Sequence, residues 1–160
     1  MSEQRVGLGI DFHRFAPGRS LMLGGVEVPH EEGLLGHSDA DVLTHSICDA
    51  MLGAAGLGDI GTHFPDTDEA YRGIAGVELL RRVVGKIAEE GFSAVNVDVT
   101  VIAERPKLVP HFPRMRSLLA ETIGIEPAAV GLKATTSEGM GALGRGEGIG
   151  SMAICLIGRG

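Results

Sequence analysis

The stretch VNVDVTVI at residues 95–102 places valine at every second position. Because successive side chains of a β-strand point to opposite faces, this alternation predicts a strand with one buried face. A helical pattern closed by Gly91 precedes it at residues 75–90, and another closed by Gly124 follows at residues 110–123. Helices that alternate with a half-polar strand predict an α+β sandwich, with helices layered on one face of a mixed sheet.

The rest of the chain extends this pattern. The remaining strand signals lie at residues 5–12, 21–28, 130–136 and 151–157. Residues 21–28 form a predicted hairpin, because the Gly24-Gly25 pair suits a two-residue turn. Ser38 is expected to cap a helix that runs to about residue 55.

This first helix is expected to have two distinct faces. Its apolar stripe consists of Leu43, Ile47, Ala50, Met51 and Ala54. Its polar ridge consists of Ser38, Asp41, His45 and Asp49. The stripe is expected to pack on the sheet, so the ridge should face away from it.

Composition limits the class of protein. The chain has 160 residues and a hydrophobic content of 44%, which predicts one domain over residues 1–160. A formal charge of -7, without a basic run, argues against nucleic acid as a partner. Cys48 and Cys155 lie in apolar stretches and are expected to be buried thiols without a disulfide. The chain has no signal core and no apolar span of ~18 residues, so a soluble, cytoplasmic protein is expected.

Three residues form a candidate metal site. Asp11 and His13 are two apart on a predicted strand, so they share one face. With His45 they would supply two imidazoles and one carboxylate, the set that leaves a tetrahedral zinc ion one open position. Spacing alone equally allows a surface Asp-x-His pair and a histidine on a solvated helix face.

Two loops contain residues that could bind a ligand, but neither pattern is specific. Residues 58–68 hold three carboxylates, which suit hydroxyl recognition and are equally ordinary on an exposed surface. Residues 139–144 match G-x-G-x-x-G, but no helical pattern follows them, so a dinucleotide fold is rejected.

Several motifs, taken together and in order, identify a family. They are GIDFH at 9–13, GHSDADV at 36–42, GDIG at 58–61, FPDTD at 64–68, NVDVT at 96–100, PKL at 106–108, KATT at 133–136 and GRGE at 144–147. Over residues 6–157 the chain resembles the 2-C-methyl-D-erythritol 2,4-cyclodiphosphate synthases of the non-mevalonate isoprenoid pathway. The resemblance implies a ferredoxin-like sandwich and a homotrimer with active sites between subunits.

The resemblance also implies a reaction. The 2-phosphate of 4-diphosphocytidyl-2-C-methyl-D-erythritol 2-phosphate would attack the β-phosphorus, forming the cyclic diphosphate and releasing CMP. The attacking phosphate is already ionised at neutral pH, so catalysis depends on in-line positioning and charge neutralisation. Bound cations would reconcile this anionic substrate with the acidic chain.

The resemblance implies roles for individual residues. Asp11, His13 and His45 would bind zinc, and Glu138 would help to hold a second divalent ion, magnesium or manganese. His37 and Thr136 would stabilise the transition state. The residues expected to contact substrate are Asp11, His13, His37, Ser38, Asp59, Gly61, Phe64, Asp66, Asp68, Ala103, Lys107, Leu108, Val109, Ala134, Thr135, Thr136, Glu138 and Arg145.

Within that set, each part of the substrate has its own segment. Residues 64–68 would surround the methylerythritol unit, and residues 103–109 would read cytosine through backbone groups. Arg145 would lie near the threefold axis, beside a cavity for isoprenoid phosphates. Ala142 departs from the family, where phenylalanine is common, which puts the shape of that cavity in doubt.

Two other functions remain open from the sequence. The same three metal ligands could serve a phosphohydrolase, in which metal-activated water attacks instead of an internal phosphate. The chain could also be a non-catalytic trimeric binding module whose histidines are structural.

Overall fold

The computed structural model describes residues 3–160 and confirms the α+β architecture. Its strands are β1 (Glu3–Ala16), β2 (Leu21–Leu23), β3 (Val26–Val28), β4 (Gly33–Leu34), β5 (Ser93–Ile102), β6 (Val130–Thr135) and β7 (Gly148–Arg159). Its helices are α1 (Val42–Ala55), α2 (Ile60–His63), α3 (Gly76–Glu89), α4 (Phe112–Ile123) and α5 (Gly141–Gly144). Each strand and helix that the sequence predicted is present, and β1 and β7 are longer than expected.

The main sheet has five strands in the order β4-β1-β7-β5-β6. β5 and β6 pair in parallel, whereas β1 and β5 both run antiparallel to β7, so the sheet is mixed as predicted. β2 and β3 form the separate hairpin, and Gly24 and Gly25 have positive φ at its turn. None of the helices in residues 3–160 is long and apolar enough to cross a membrane.

The alternation in β5 corresponds to the two faces of the sheet. Val97, Val99 and Val101 are buried beneath the helices, whereas Asn96 and Asp98 are exposed on the opposite face. The predicted period of two is therefore confirmed from Val97 to Val101. It fails at Val95, which is 44% exposed because a bulge between Ala94 and Asn96 interrupts the pairing with β7.

Helix α1 lies directly on β1 at two glycines. A Cβ atom on Gly7 would lie 1.8 Å from the carbonyl oxygen of Ala50, and one on Gly9 would lie 1.9 Å from that of Ser46. Both distances are far inside van der Waals contact, so only glycine lets the two backbones approach this closely. The approach brings α1 against the strand face that also carries Asp11.

The start of α1 differs from the prediction. Asp41, not Ser38, is the N-cap: its carboxylate accepts the Thr44 N–H at 3.0 Å. Ala40 has φ 56, a left-handed conformation that interrupts any helix extending back to Ser38. The predicted cap at Ser38 was therefore wrong, although the end of the helix at Ala55 is confirmed.

Asp41 is selected as the cap by contacts from outside the helix. Its carboxylate also accepts the N–H groups of Gly24 at 2.9 Å and Gly25 at 2.7 Å, which ties the hairpin turn to α1. Burial, together with the charge of Asp39, raises the pKa of Asp41. Because Asp41 is fully buried, its hydrogen bonds to several donors stabilise the fold more than the same bonds would in contact with water.

The polar ridge of α1 does not face solvent. Asp41 is 0% and His45 4% exposed, because α1 is covered by β1 and β7 on one side and by α3 on another. The predicted apolar stripe is buried as expected, while in the ridge Asp41 and His45 are buried and Ser38 and Asp49 are half-buried. The alternative that His45 lies on a solvated helix face is wrong, because packing between distant segments covers this side of α1.

The glycine contact can be tested by Gly9→Ala. We expect it to destabilise the fold by about 3 kcal/mol or more, because a methyl group must displace the backbone of α1. Chemical denaturation followed by circular dichroism measures the change. Gly53→Ala in the same helix is the control: its Cβ meets nothing within 4 Å, so it should stabilise by about 0.5–1 kcal/mol. Equal effects of the two changes would contradict the assigned contact.

Candidate active site

Asp11, His13 and His45 converge at the C-terminal half of β1. The Asp11 Oδ2 atom lies 3.0 Å from His13 Nε2 and 3.1 Å from His45 Nδ1. One ligand atom from each residue lies within 4.8 Å of the others, so the three could hold one metal ion. Strand periodicity brings Asp11 and His13 to one face, and the glycine contact brings His45 from α1 to the same place.

Each histidine is held by its second ring nitrogen. His13 Nδ1 lies 2.6 Å from the carbonyl oxygen of Leu35, so this nitrogen donates its proton and the Nε2 atom faces Asp11. His45 Nε2 lies 3.2 Å from the hydroxyl of Ser38. Such partners fix ring orientation and tautomer, as is usual for metal-binding histidines. Ser38, predicted as a cap and substrate contact, therefore orients His45.

The cluster is electrostatically coupled. Burial acts to raise the pKa of Asp11, but hydrogen bonds from His13 and His45 outweigh it and hold that pKa well below its usual range. Burial acts to lower the pKa of His13, but its hydrogen bond and attraction to Asp11 outweigh this, so the pKa is raised. A carboxylate that stays ionised next to two imidazoles is well suited to a cation.

The geometry fits a tetrahedral ion. Ligand atoms at about 2.0–2.1 Å from zinc lie about 3.3 Å from one another, close to the separations from Asp11 to the two imidazoles. Two imidazoles and one carboxylate are also a donor set that zinc accepts, with one position left for another ligand. The surface-pair alternative does not fit, because the His45 side chain is only 5% exposed.

A pocket of about 410 Å³ opens beside the cluster, within the usual range for small-molecule sites. The predicted site residues that line it are Asp11, His13, His37, Ser38, His45, Gly61, Phe64 and Asp66. Its apolar wall comes from residues that the sequence did not single out, including Tyr71, Ile74 and Leu79. These lie on the turn after α2 and on α3, where only tertiary packing reveals their position.

His37 has a polar atom without a partner. Among residues 3–160 its Nε2 is the buried side-chain nitrogen or oxygen that lacks a hydrogen bond. Unpaired buried polar atoms are rare in folded proteins and point to a bound group that supplies the partner. Since His37 lines the same pocket, a ligand there would satisfy it.

Two further predicted residues begin turns beside the pocket. The Asp59 carboxylate accepts the N–H and hydroxyl of Thr62 at 2.8 and 2.9 Å, and so caps α2. The Asp68 carboxylate accepts the Ala70 N–H at 2.9 Å. Both therefore shape the loop in this structure, and their contact with substrate stays a prediction.

Two polar groups that the sequence analysis did not assign to the site support its walls. Arg19 donates to the carbonyl oxygens of Gly36 at 3.0 Å and Ser38 at 2.5 Å, which holds the segment that carries His37. Asp49 accepts the Ile60 N–H at 2.8 Å and fixes the start of α2. No local motif marks Arg19, because its role depends on a contact with a later loop.

The other predicted residues lie across the sheet. In register, Asp11 faces Ser151 on β7, Ser151 faces Val101 on β5, and Val101 faces Ala134 on β6. Three strand spacings separate Asp11 from Ala134, which is about 14 Å. The ends of β5 and β6 and the segments after them hold Ala103, Lys107, Leu108, Val109, Ala134, Thr135, Thr136 and Glu138. Arg145 instead lies just before β7, whose Gly148 pairs with Arg14 of β1. None of these nine residues lines the pocket beside the metal cluster.

Burial limits what some of the remote residues can do. The side chains of Ala103 and Leu108 are only 7% and 2% exposed, so only their backbone groups can meet a ligand. Lys107 is exposed beside a separate pocket, and Arg145 donates to the Glu147 carboxylate at 2.6 Å. The expectation of backbone recognition in residues 103–109 is compatible with this arrangement.

Comparisons with known proteins decide the family. The model of the YgbB family matches residues 4–158. The chain belongs to the YgbB family. A relative from Symbiobacterium thermophilum, named 2-C-methyl-D-erythritol 2,4-cyclodiphosphate synthase, is 59% identical over 152 residues, which cover 95% of this chain and 97% of the relative.

Solved structures of YgbB-type proteins share the fold. The bifunctional IspDF from Campylobacter jejuni superimposes with a TM-score of 0.96 at 41% identity, over 100% of this chain and 43% of that chain. A 2C-methyl-D-erythritol-2,4-cyclodiphosphate synthase in a CDP-bound form superimposes with a TM-score of 0.88 at 36% identity, over 96% of this chain and 99% of that one. The resemblance seen in the sequence is confirmed.

The metal cluster can be tested with His45→Asn. We expect the wild-type chain to bind about one zinc ion and the variant to lose it, because a neutral amide is a much weaker ligand than imidazole. Dialysis followed by metal analysis measures the stoichiometry. Asparagine is preferred to alanine because the site is buried and a cavity would destabilise the fold.

His63→Asn is the matched control for the loss of zinc in His45→Asn. His63 lies next to the pocket but binds the Leu57 carbonyl oxygen instead of the cluster, so this variant should keep its zinc. Retention of zinc by folded His45→Asn would refute the ligand assignment.

Proposed function

We propose that the chain converts 4-diphosphocytidyl-2-C-methyl-D-erythritol 2-phosphate to 2-C-methyl-D-erythritol 2,4-cyclodiphosphate and CMP, the reaction of the synthases to which it is similar. The observation that carries this proposal is the convergence of Asp11, His13 and His45 beside a pocket of suitable size, in a member of this family. The reaction belongs to the non-mevalonate isoprenoid pathway and makes the chain a phosphorus-oxygen lyase.

The chemistry requires no external nucleophile. An oxygen of the 2-phosphate forms a bond to the β-phosphorus, and the bond from that phosphorus to the bridging oxygen breaks. The bridging oxygen leaves with its electron pair on CMP. Because the attacking phosphate is ionised near neutral pH, the chain has to fold the substrate and align its two ends.

We assign zinc to the Asp11, His13 and His45 cluster, and magnesium or manganese to Glu138. Bound cations would neutralise phosphate charge and polarise phosphorus-oxygen bonds. The support for zinc is the donor set and its spacing in the structure. The support for a second cation is the formal charge of -7, which makes an anionic substrate hard to hold without one.

The remaining site residues act by positioning and hydrogen bonding. His37 would donate from its unpaired Nε2 to a phosphate oxygen, and Thr136 would donate its hydroxyl from the other side. The half-buried rings of Phe64 and Tyr71, which meet edge to face at 5.3 Å, would exclude water from the methylerythritol end. Asp66 would accept a sugar hydroxyl in the same pocket.

We infer a homotrimer with active sites shared between subunits. The face of β1 opposite the helices exposes Val6, Leu8, Ile10 and Phe12, with exposures of 67%, 55%, 45% and 56%. Met152 and Ile154 of β7 continue this apolar face. Contiguous apolar surface of this kind marks a protein interface. Packing of these faces would bury them and bring the remote loop of one subunit to the metal cluster of another.

This arrangement would supply the nucleotide end of the site. The relatives solved with CDP bind a cytidine nucleotide, and residues 103–109 and 134–138 are the segments we assign to it here. A single catalytic domain and a cytoplasmic location are part of the same proposal. The free, buried thiols of Cys48 and Cys155 are compatible with a reducing compartment.

The reaction is tested by phosphorus NMR. With zinc and magnesium present, we expect cyclic diphosphate and CMP to appear in equal amounts, and a chelator to abolish both. Free phosphate or linear products would instead indicate a phosphohydrolase, and a metal-loaded protein without turnover would indicate a binding module. The comparisons do not favour either of these alternatives.

The shared site is tested by mixing two inactive variants. His45→Asn removes a cluster ligand, and Thr136→Ala removes a hydroxyl from the remote loop. If each site takes one part from each of two subunits, trimers refolded from an equal mixture should recover about a quarter of wild-type activity, since about one site in four is intact. A mixture of His45→Asn with His13→Asn is the control and should stay inactive. No recovery in the first mixture would place the whole site in one subunit.

A further inference from the structure

Glu104 lies between the two segments assigned to the nucleotide. It follows the end of β5, next to Ala103, whose N–H donates to the carbonyl oxygen of Thr135 at 2.9 Å. This bond continues the parallel pairing one residue beyond the end of β5, to Thr135, the last residue of β6. The carboxyl ends of parallel strands are where ligands bind in many sheets, so Glu104 stands at the base of such an edge.

The Glu104 carboxylate binds the loop that follows β6. A single oxygen, Oε1, accepts the Ser137 N–H at 3.0 Å, the Ser137 hydroxyl at 3.2 Å and the Gly139 N–H at 3.4 Å. The donors come from the residues immediately before and after Glu138. The carboxylate therefore clamps both sides of one turn.

That turn is conformationally demanding. Glu138 has φ 55, in the left-handed region that non-glycine residues seldom adopt. Its N–H donates to the Thr136 hydroxyl oxygen at 3.2 Å, so the conformation of Glu138 also sets the rotamer of Thr136. A strained residue persists only where its surroundings hold it, and here Glu104 supplies three of the bonds that do so.

We propose that Glu104 is a positioning residue, which holds Thr136 and Glu138 in the orientation that the substrate diphosphate requires. This proposal rests on the proposed function, since it concerns the loop assigned there to the nucleotide phosphates. Glu104 touches neither the metal cluster nor the pocket beside it in one subunit. It acts through the loop, and it couples that loop to the cytosine segment on its own side.

The role depends on an acceptor oxygen and not on a charge. All three donors share one oxygen, so a glutamine at this position keeps the same acceptor at the same reach. Aspartate keeps the charge but is shorter by one carbon. If Glu104 instead held a cation or removed a proton, aspartate would retain more activity than glutamine, and glutamine would be as inactive as alanine.

The experiment compares Glu104→Ala, Glu104→Gln and Glu104→Asp in the full-length chain. Glu31→Ala is the matched control. Glu31 and Glu104 both line the separate pocket beside Lys107, but within residues 3–160 only Glu104 binds the loop after β6. The readouts are kcat and KM for cyclic diphosphate formation, the dissociation constant for CDP, zinc content, and amide hydrogen exchange at Ser137 and Gly139.

We expect Glu104→Ala to lower kcat by about 10- to 100-fold and to speed exchange at both amides at least tenfold, with unchanged zinc content. CDP should also bind more weakly, because the loop must then be ordered on binding. Glu104→Gln should stay within about threefold of wild type in every readout, as should Glu31→Ala. Glu104→Asp should resemble alanine, and it replaces alanine in the comparison if that variant does not fold.

Two results would overturn the proposal. Wild-type kinetics and exchange in folded Glu104→Ala and Glu104→Asp would show that the loop does not need the clamp. Loss of activity in Glu104→Gln equal to that in Glu104→Ala would show that charge matters. If the wild-type chain forms no cyclic diphosphate, the proposed function fails, and amide exchange then decides whether Glu104 holds the loop.

Discussion

The backbone contact between α1 and β1 is the constraint on which the metal cluster depends. The carbonyl oxygens of Ala50 and Ser46 lie so close to Gly7 and Gly9, respectively, that no other residue fits at either position. His45 precedes Ser46 by one residue, and Asp11 follows Gly9 by two, so the same contact sets the imidazole beside the carboxylate. Looser packing of the helix would draw these groups apart. The geometry of the cluster is thus a consequence of main-chain packing, which side-chain motion disturbs little.

Several other carboxylates of this acidic chain stabilise the fold by accepting backbone N–H groups. Asp41 joins α1 to the hairpin, Asp39 accepts the first N–H of α3 at 2.9 Å, and Asp59 caps α2. These groups occupy helix N-termini, where negative charge is favourable. Part of the formal charge of -7 is therefore neutralised locally by backbone dipoles.

Local patterns predicted most of the fold and part of the candidate site. The valine alternation of β5 and the glycine ends of α3 and α4 depend on neighbours in sequence, so they were visible. The pairing of Asp11 with His13 follows from strand periodicity alone. The cap of α1 was not visible, because Ser38 and Asp41 both suit it and the hairpin decides between them. The burial of His45 and the role of Arg19 likewise depend on contacts between distant segments.

The two halves of the proposed site are held in different ways, and this difference suits a ring closure. Asp11, His13 and His45 sit on a strand and a helix fixed by packing, whereas Thr136 and Glu138 sit on a turn fixed by hydrogen bonds to one carboxylate. About 14 Å of sheet separates the halves within a subunit. An intramolecular attack requires both phosphates to be aligned at once, so the site needs two rigid anchors that approach each other. In the proposed trimer, assembly of subunits through the exposed apolar face of β1 would provide that approach.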